Sequence, residues 1–431
     1  MGDDEKHVLL NKKKDFSRCV SNAGDELQSF RSCLRWMCVD QSNPWRASLS
    51  WFLFFLLAII APALSHFWYG TGVECDEKFH RPYDGVSQLS LTSVATVSFL
   101  SLSKFVRKYG LRRFLYLDKL CDESENVRQG YTTQLHRSMK LLALFVLPCF
   151  GIEVAYKIWW YSSGASQIPF WGNVYVSDTL ACILELSSWL YRTSIFFLVC
   201  VLFRLICYLQ ILRLQDFAQV FQEESDVVSI LKEHLRIRRH LRVISHRYRA
   251  FILSALMIIT ASQFASLLNT TRSHADVSIY RAGELALCSM TMMAGLYILL
   301  RSATKITHKA QSITCLAAKW HICATLDSFD ATNDSETPMT QIASSGQLFS
   351  FSDEEDVGDE ECDINTTKIL TPTFSHTICF QKRQALVTYL ENNQAGITVF
   401  GFMLDRTYLH TIFGIEMSLV LWLLGKTIGI S

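Results

Sequence analysis

Charge is scarce in this sequence. Only 19% of its 431 residues are Asp, Glu, Lys or Arg, while half are hydrophobic. A soluble chain of this length carries more charge and shorter apolar runs. Neither sign dominates, because the formal net charge is +1. That excludes the broad basic field of a nucleic-acid-binding surface. The N-terminus, MGDDEKHVLLNKKKDFSRCV, lacks the apolar core of a cleavable signal peptide. It also lacks a myristoylation signal, since Lys6 stands where Ser or Thr is needed. The first membrane span is therefore expected to act as its own targeting signal. No CxxC and no HExxH occurs, and His234, His240, His246, His308 and His321 are scattered. GKT at Gly425–Thr427 is not a phosphate-binding loop, because the position needing glycine is Val420. No catalytic residue, metal site or cofactor is expected, and the protein is read as a non-enzyme without nucleic-acid partners.

What the chain does contain is apolar blocks of roughly 20 residues, the length a helix needs to cross a bilayer. They are Trp51–Trp68, Val86–Phe105, Met139–Tyr161, Thr179–Arg204, Ala250–Leu268, Tyr280–Arg301 and Thr407–Ile430. The second is rich in Ser and Thr, which a span tolerates only when the hydroxyls bond to neighbours or to their own backbone. The count predicts about seven spans.

Basic residues set the expected threading. Lys12, Lys13, Lys14, Arg18, Arg31, Arg35 and Arg46 precede the first span. Lys104, Arg107, Lys108, Arg112 and Arg113 follow the second, and Arg236, Arg238, Arg239, Arg242, Arg247 and Arg249 follow the fourth. The connection at 162–178 has no Lys or Arg. The alternation predicts a cytoplasmic N-terminus and an outer C-terminus, opposite to a G-protein-coupled receptor. Of the 14 cysteines only Cys75 falls clearly in a predicted outer loop, so no disulfide framework is implied. Asn269, in Asn-Thr-Thr, is a glycosylation candidate close to the outer boundary.

The expected organisation is a cytoplasmic segment at 1–50 and a six-span bundle at 51–301. Residues 205–249 extend that bundle as cytoplasmic helices. A cytoplasmic helix with an acidic disordered loop follows at 302–375, then a short helix and the terminal span at 376–431. The basic run at 236–249 serves as an orientation signal and solvated face, or as a contact to anionic lipid. The acidic stretch FSDEEDVGDEECD has no EF-hand spacing and reads as a solvated loop, with Ser352 a candidate phosphosite.

The terminal span has a pattern of its own. At about 100° per residue, Thr411, Gly414, Ser418 and Gly425 fall within about 40° of Thr407. This narrow stripe of small side chains suits the close approach of another helix; alternatively it faces water in a pore shared by several copies. Glu416 lies on the opposite face, halfway into the span, where a carboxylate is costly unless paired or wetted. Arg192 or Arg204 is the expected partner, and Glu185 with Arg192, seven residues apart, forms the other intramembrane charge candidate.

The tail LDRTYLHTIFGIEMSLVLWLLGKTIGIS and the stretch KYGLRRFLYLDKLCDESE resemble the plant gustatory-receptor-like family, which is distantly related to insect chemoreceptors. The resemblance covers most of the chain. It implies an all-α, seven-transmembrane helical bundle of the insect-chemoreceptor type, N-terminus cytoplasmic and C-terminus extracellular. Insect chemoreceptors are tetrameric ligand-gated cation channels whose last helix lines a central pore. The family motif in that helix is Thr-Tyr, five mostly apolar residues, then Gln-Phe. Thr407 and Tyr408 match it, whereas Gly414 and Ile415 stand where Gln and Phe would be. Implied partners are membrane lipid, further copies of the same chain and an unknown small-molecule ligand, in the plasma membrane rather than an internal one. Such a ligand would enter from outside among the first six spans, where Trp159, Trp160, Phe170 and Trp171 either line the entrance or anchor the chain at the interface. The alternative is a non-conducting membrane scaffold that recruits cytoplasmic partners through its basic helices and acidic loop.

Overall fold

The computed structural model describes residues 44–70, 83–114, 125–162, 174–223, 227–271, 279–333 and 380–428. The N-terminal basic cluster, Cys75, Phe170, Trp171, Ser352 and the acidic loop lie outside the described residues. The described chain is almost wholly helical. In order, it comprises α1 (Pro44–Phe54), a π-helical stretch (Phe55–Ile60), α2 (Ala61–Gly70), α3 (Asp84–Phe114), α4 (Glu125–Ser162), α5 (Val174–Glu223), α6 (Val227–Thr271), α7 (Ile279–Asn333), α8 (Phe380–Asn392), the short strands β1 (Thr398–Val399) and β2 (Phe402–Met403), and α9 (Arg406–Ile428). Among the described residues, seven stretches are long and apolar enough to cross a membrane: the continuous α1–α2 segment, and α3, α4, α5, α6, α7 and α9.

The π-helical stretch in the first span follows from Pro62. Proline has no N–H to donate to Ala58, four residues back, and its ring crowds that carbonyl. The chain widens by one residue, with the Ala61 N–H bonding Leu56 O instead of Leu57 O. Two carbonyls are left over, and hydroxyls from neighbouring helices take them. Thr92 of α3 donates to Ala58 O at 3.2 Å, and Ser188 of α5 donates to Leu57 O at 2.6 Å. In hydrocarbon an unmet carbonyl costs several kcal/mol, so these bonds tie the first span to α3 and α5. Several other hydroxyls of α3 turn inward on their own helix, Ser87 among them, donating to Asp84 O at 3.0 Å. Ser93, Thr96 and Ser98 each donate to the carbonyl four residues back at 2.7 Å. These bonds offset much of the polarity that makes α3 the least apolar of the first six spans.

Helix α5 is the axis of the fold. Its residues Ile195–Phe203 are buried on every side, whereas other spans expose apolar side chains such as Leu144, Leu147, Met257 and Phe264, as a lipid-facing surface requires. Close approach of α7 to α5 depends on Gly295. A Cβ built there would lie 2.2 Å from the Phe196 ring.

At 50, 45 and 55 residues, α5, α6 and α7 are far longer than the ~20 residues that span a bilayer. They leave the membrane together and form a stem, against which α8 packs. Arg213 meets His240 at 3.2 Å, and Arg238 donates to Asn393 Oδ1 at 2.8 Å. His234 is buried here near Phe217 and Tyr389. It lies some 24 Å along α6 from Ala250 at ~1.5 Å per residue. Burial, with Arg238 beside it, pushes the His234 imidazole down to about 4.

Between α8 and α9 the chain makes a hairpin, pairing Thr398 with Met403 and Val399 with Phe402. Its turn residues, Phe400 and Gly401, both have positive φ (49° and 96°), as a primed two-residue turn requires. For Phe400 that backbone costs roughly 1–2 kcal/mol. The base is seated firmly. The Ile397 N–H donates to Thr307 Oγ1 and the Thr398 N–H to Ser245 Oγ, both at 3.1 Å.

Candidate functional site

Helix α9 lies against α6 and α7 along one face and is open on the other. Glu416, Val420, Leu423 and Thr427 form the buried face, and Phe413 stacks obliquely on Tyr297 of α7 at 4.9 Å. Thr407, Thr411, Gly414 and Ser418 are all exposed. A Cβ added at Gly414 or Gly425 would meet nothing within 4 Å. The small stripe therefore packs no helix of its own bundle. Within it, Thr411 donates to Thr407 O at 2.9 Å and Ser418 to Gly414 O at 2.7 Å, so both hydroxyls are held along the helix. Tyr408 is half exposed on the same open side.

Glu416 is only 2% exposed. One carboxylate oxygen accepts from Thr260 of α6, and the other takes no hydrogen bond from any described residue. The expected pairing with Arg192 is not made, because Arg192 is engaged elsewhere. Its guanidinium donates to Gln88 Oε1 at 2.7 Å, Thr92 Oγ1 at 3.1 Å and Ser188 O at 3.3 Å. Arg204 does not bond to Glu416 either. Glu185 does not pair with Arg192: it accepts from Ser65 at 2.5 Å and forms an ion pair with Lys157 at 2.9 Å.

Lys157 is the centre of an ionic network that the sequence reading did not single out. The residue is only 1% exposed. It sits 2.9 Å from both Glu185 and Glu284 and 3.8 Å from Glu153. Gln88 links the two halves, donating to Glu284 at 2.8 Å and to Asp84 at 3.1 Å while accepting from Arg192. The side chains surround a crevice of about 10 Å³, room for roughly one water. The network joins α2, α3, α4, α5 and α7, all away from the stem. A signal for it was present: Glu153 and Lys157 lie in the third predicted span and Glu284 in the sixth. An ionisable residue inside a span is a functional or pairing candidate by default.

Asn269 is half-buried near the end of α6, and the Thr271 hydroxyl of its sequon is turned to Leu267 O. Trp160 is buried and Trp159 partly exposed at the end of α4. Among the described residues no three His, Cys, Asp or Glu side chains gather as metal ligands.

The sequence profile of a family described as protein of unknown function (DUF3537) matches residues 25–415. No curated protein matches the sequence. Among solved structures, the insect olfactory receptor OR5 from Machilis hrabei is similar, with a TM-score of 0.51 and 12% identity. That match covers 93% of this chain and 99% of the receptor. At such identity the likeness is one of fold. It establishes a nearly all-helical fold like that of the insect receptor, in a chain whose described residues include seven helical stretches long and apolar enough to cross a membrane.

Proposed function

This chain belongs to the DUF3537 family, and on that premise we propose that it is a homo-oligomeric ligand-gated cation channel whose α9 helix lines the pore. The observation that carries the reading is the open face of α9. A row of small, weakly polar side chains, Thr407, Thr411, Gly414 and Ser418, faces away from the bundle. Helices in lipid dress their free faces with large apolar side chains, as α4 does with Leu144 and Leu147. A small, hydroxyl-bearing face suits a neighbouring copy and the water between copies. The fold shared with an insect olfactory receptor supports the same arrangement. In this reading the N-terminus and the stem are cytoplasmic, and the C-terminus lies outside, as the alternation of basic segments requires. The resemblance of the tail to the plant gustatory-receptor-like family, a plasma-membrane location and the absence of enzymatic activity belong to the same proposal.

Cysteine substitution tests it. In a background without native cysteines, Thr411→Cys and Ser418→Cys are expected to react with water-soluble thiol reagents in the assembled protein, and modification is expected to change cation flux in proteoliposomes. Leu423→Cys, on the buried face, is the control. Inaccessible cysteines at 411 and 418, or a purified protein that is strictly monomeric, would leave the non-conducting scaffold as the better description.

A further inference from the structure

The hairpin between α8 and α9 has a feature that packing does not explain. Its base is buried and bonded, yet its tip carries two large aromatic side chains outward. Phe400 is 55% and Phe402 69% exposed. Phe400 also occupies a left-handed backbone position that Gly or Asn takes with less strain. A bulky apolar residue kept exposed in a strained conformation points to a use outside the chain's own fold.

The level of the tip is set by its neighbours. Ser245, which holds Thr398, lies just below the apolar run of α6 that starts at Ala250. Thr307, which holds Ile397, lies just beyond the run of α7 that ends at Arg301. The last span begins at Arg406. These offsets of five or six residues amount to about 8–9 Å of helix, comparable with the headgroup layer, about 5–8 Å on each side of the hydrocarbon. The tip turns toward the membrane, because Phe400 lies under the Arg249 guanidinium, 5.1 Å from the ring centre. Arg249 is one helical turn nearer the apolar run than Ser245. Arg406, the first residue of α9 and three residues past the hairpin, is also exposed. The neighbouring carboxylate, Asp405, is turned to the backbone N–H of Arg406 at 2.7 Å.

We propose that the Thr398–Met403 hairpin is an interfacial anchor: Phe400 and Phe402 enter the boundary between headgroups and acyl chains, and Arg249 and Arg406 bind the phosphate of an anionic phospholipid. Aromatic side chains at headgroup depth and arginines beside them match the two chemistries of that layer. The anchor rests on the membrane-spanning fold and not on conduction. It holds the junction between stem and last span at a fixed depth, so lipid composition acts where α9 enters the membrane.

Photocrosslinking of the full-length protein in nanodiscs tests this. The probe is Phe402→p-benzoylphenylalanine, with Gln384→p-benzoylphenylalanine on the exposed side of α8 as control. One set of discs holds phosphatidylcholine alone and the other adds phosphatidylserine. The probe at 402 is expected to give lipid adducts far in excess of the control, with phosphatidylserine enriched above its molar share. Arg249→Gln and Arg406→Gln are each expected to cut that enrichment roughly fivefold, as loss of about 1 kcal/mol per surface arginine implies. Crosslinks from 402 to a second copy of this chain, or lipid adducts no more abundant than at 384, would overturn the anchor. Lipid adducts without phosphatidylserine enrichment would overturn the assignment of the arginines.

Discussion

Lys157→Met is the sharpest perturbation of the buried network. The substitution keeps the length and apolar stem of the side chain and removes only the ammonium. In the wild type that group is 2.9 Å from Glu185 and from Glu284 and 3.8 Å from Glu153, and all three carboxylates are buried. Without it, three acidic groups on α4, α5 and α7 face each other in a crevice with space for little more than one water. Breaking a buried ion pair from one side costs about 3–5 kcal/mol, because the abandoned charge has no compensation. Two close partners place Lys157→Met at the upper end of that range. Removing both sides together is different: a buried pair replaced by neutral groups is often close to neutral in stability. The triple variant Lys157→Met/Glu185→Gln/Glu284→Gln is therefore expected to recover most of the loss. Reversible denaturant unfolding of the protein in lipid–detergent micelles, followed by tryptophan fluorescence, measures both. A loss below about 1 kcal/mol for Lys157→Met, the size of an exposed ion pair, would refute the reasoning. So would a triple variant weaker than the single one.

Three further expectations follow from separate parts of the fold. Gly295→Ala places a Cβ against the Phe196 ring and is expected to cost about 1–3 kcal/mol by overpacking, with Phe196→Leu restoring part of it in the same unfolding assay. Phe400→Gly relieves the left-handed backbone and is expected to raise stability in detergent by up to about 1 kcal/mol, after Gly's own chain-entropy penalty is set against the relief. His234 is held neutral in the stem, its value lowered from 6.5 to about 4. The unfolded chain binds that proton first, so stability falls as pH drops from about 6.5 toward 4. A His234→Gln variant is expected to show a flatter decline of Tm across that window.

Much of the architecture was legible in the sequence. Apolar runs mark the spans because a segment in hydrocarbon must bury its own backbone bonds, and only a helix of sufficient length does so. The Ser/Thr-rich second span is ambiguous by hydropathy alone. It resolves once Ser87, Ser93, Thr96 and Ser98 are seen to bond their own helix and Thr92 a carbonyl that Pro62 leaves free. Charge pairing was not legible in the same way. Arg192 was matched to Glu416 or Glu185 because spacing along one helix says nothing of which helices adjoin it. The structure instead gives Arg192 to Gln88 and Thr92 of α3 and gives Glu185 to Lys157 of α4. The hairpin also escaped notice, since four paired residues leave no periodicity to read.

By itself, then, the sequence determined the membrane class, the span positions and the stripe Thr407–Thr411–Gly414–Ser418, because each depends on local hydrophobicity or on the fixed pitch of a helix. Only the tertiary structure decided that α9 turns Glu416 inward and leaves the stripe open, that Lys157 gathers three carboxylates from three helices, and that Phe400 and Phe402 are left exposed at the hairpin tip. A helix has many faces and one sequence. Which face is buried is set by the neighbours it meets, and those neighbours lie on other helices, as far away along the chain as Thr260 is from Glu416.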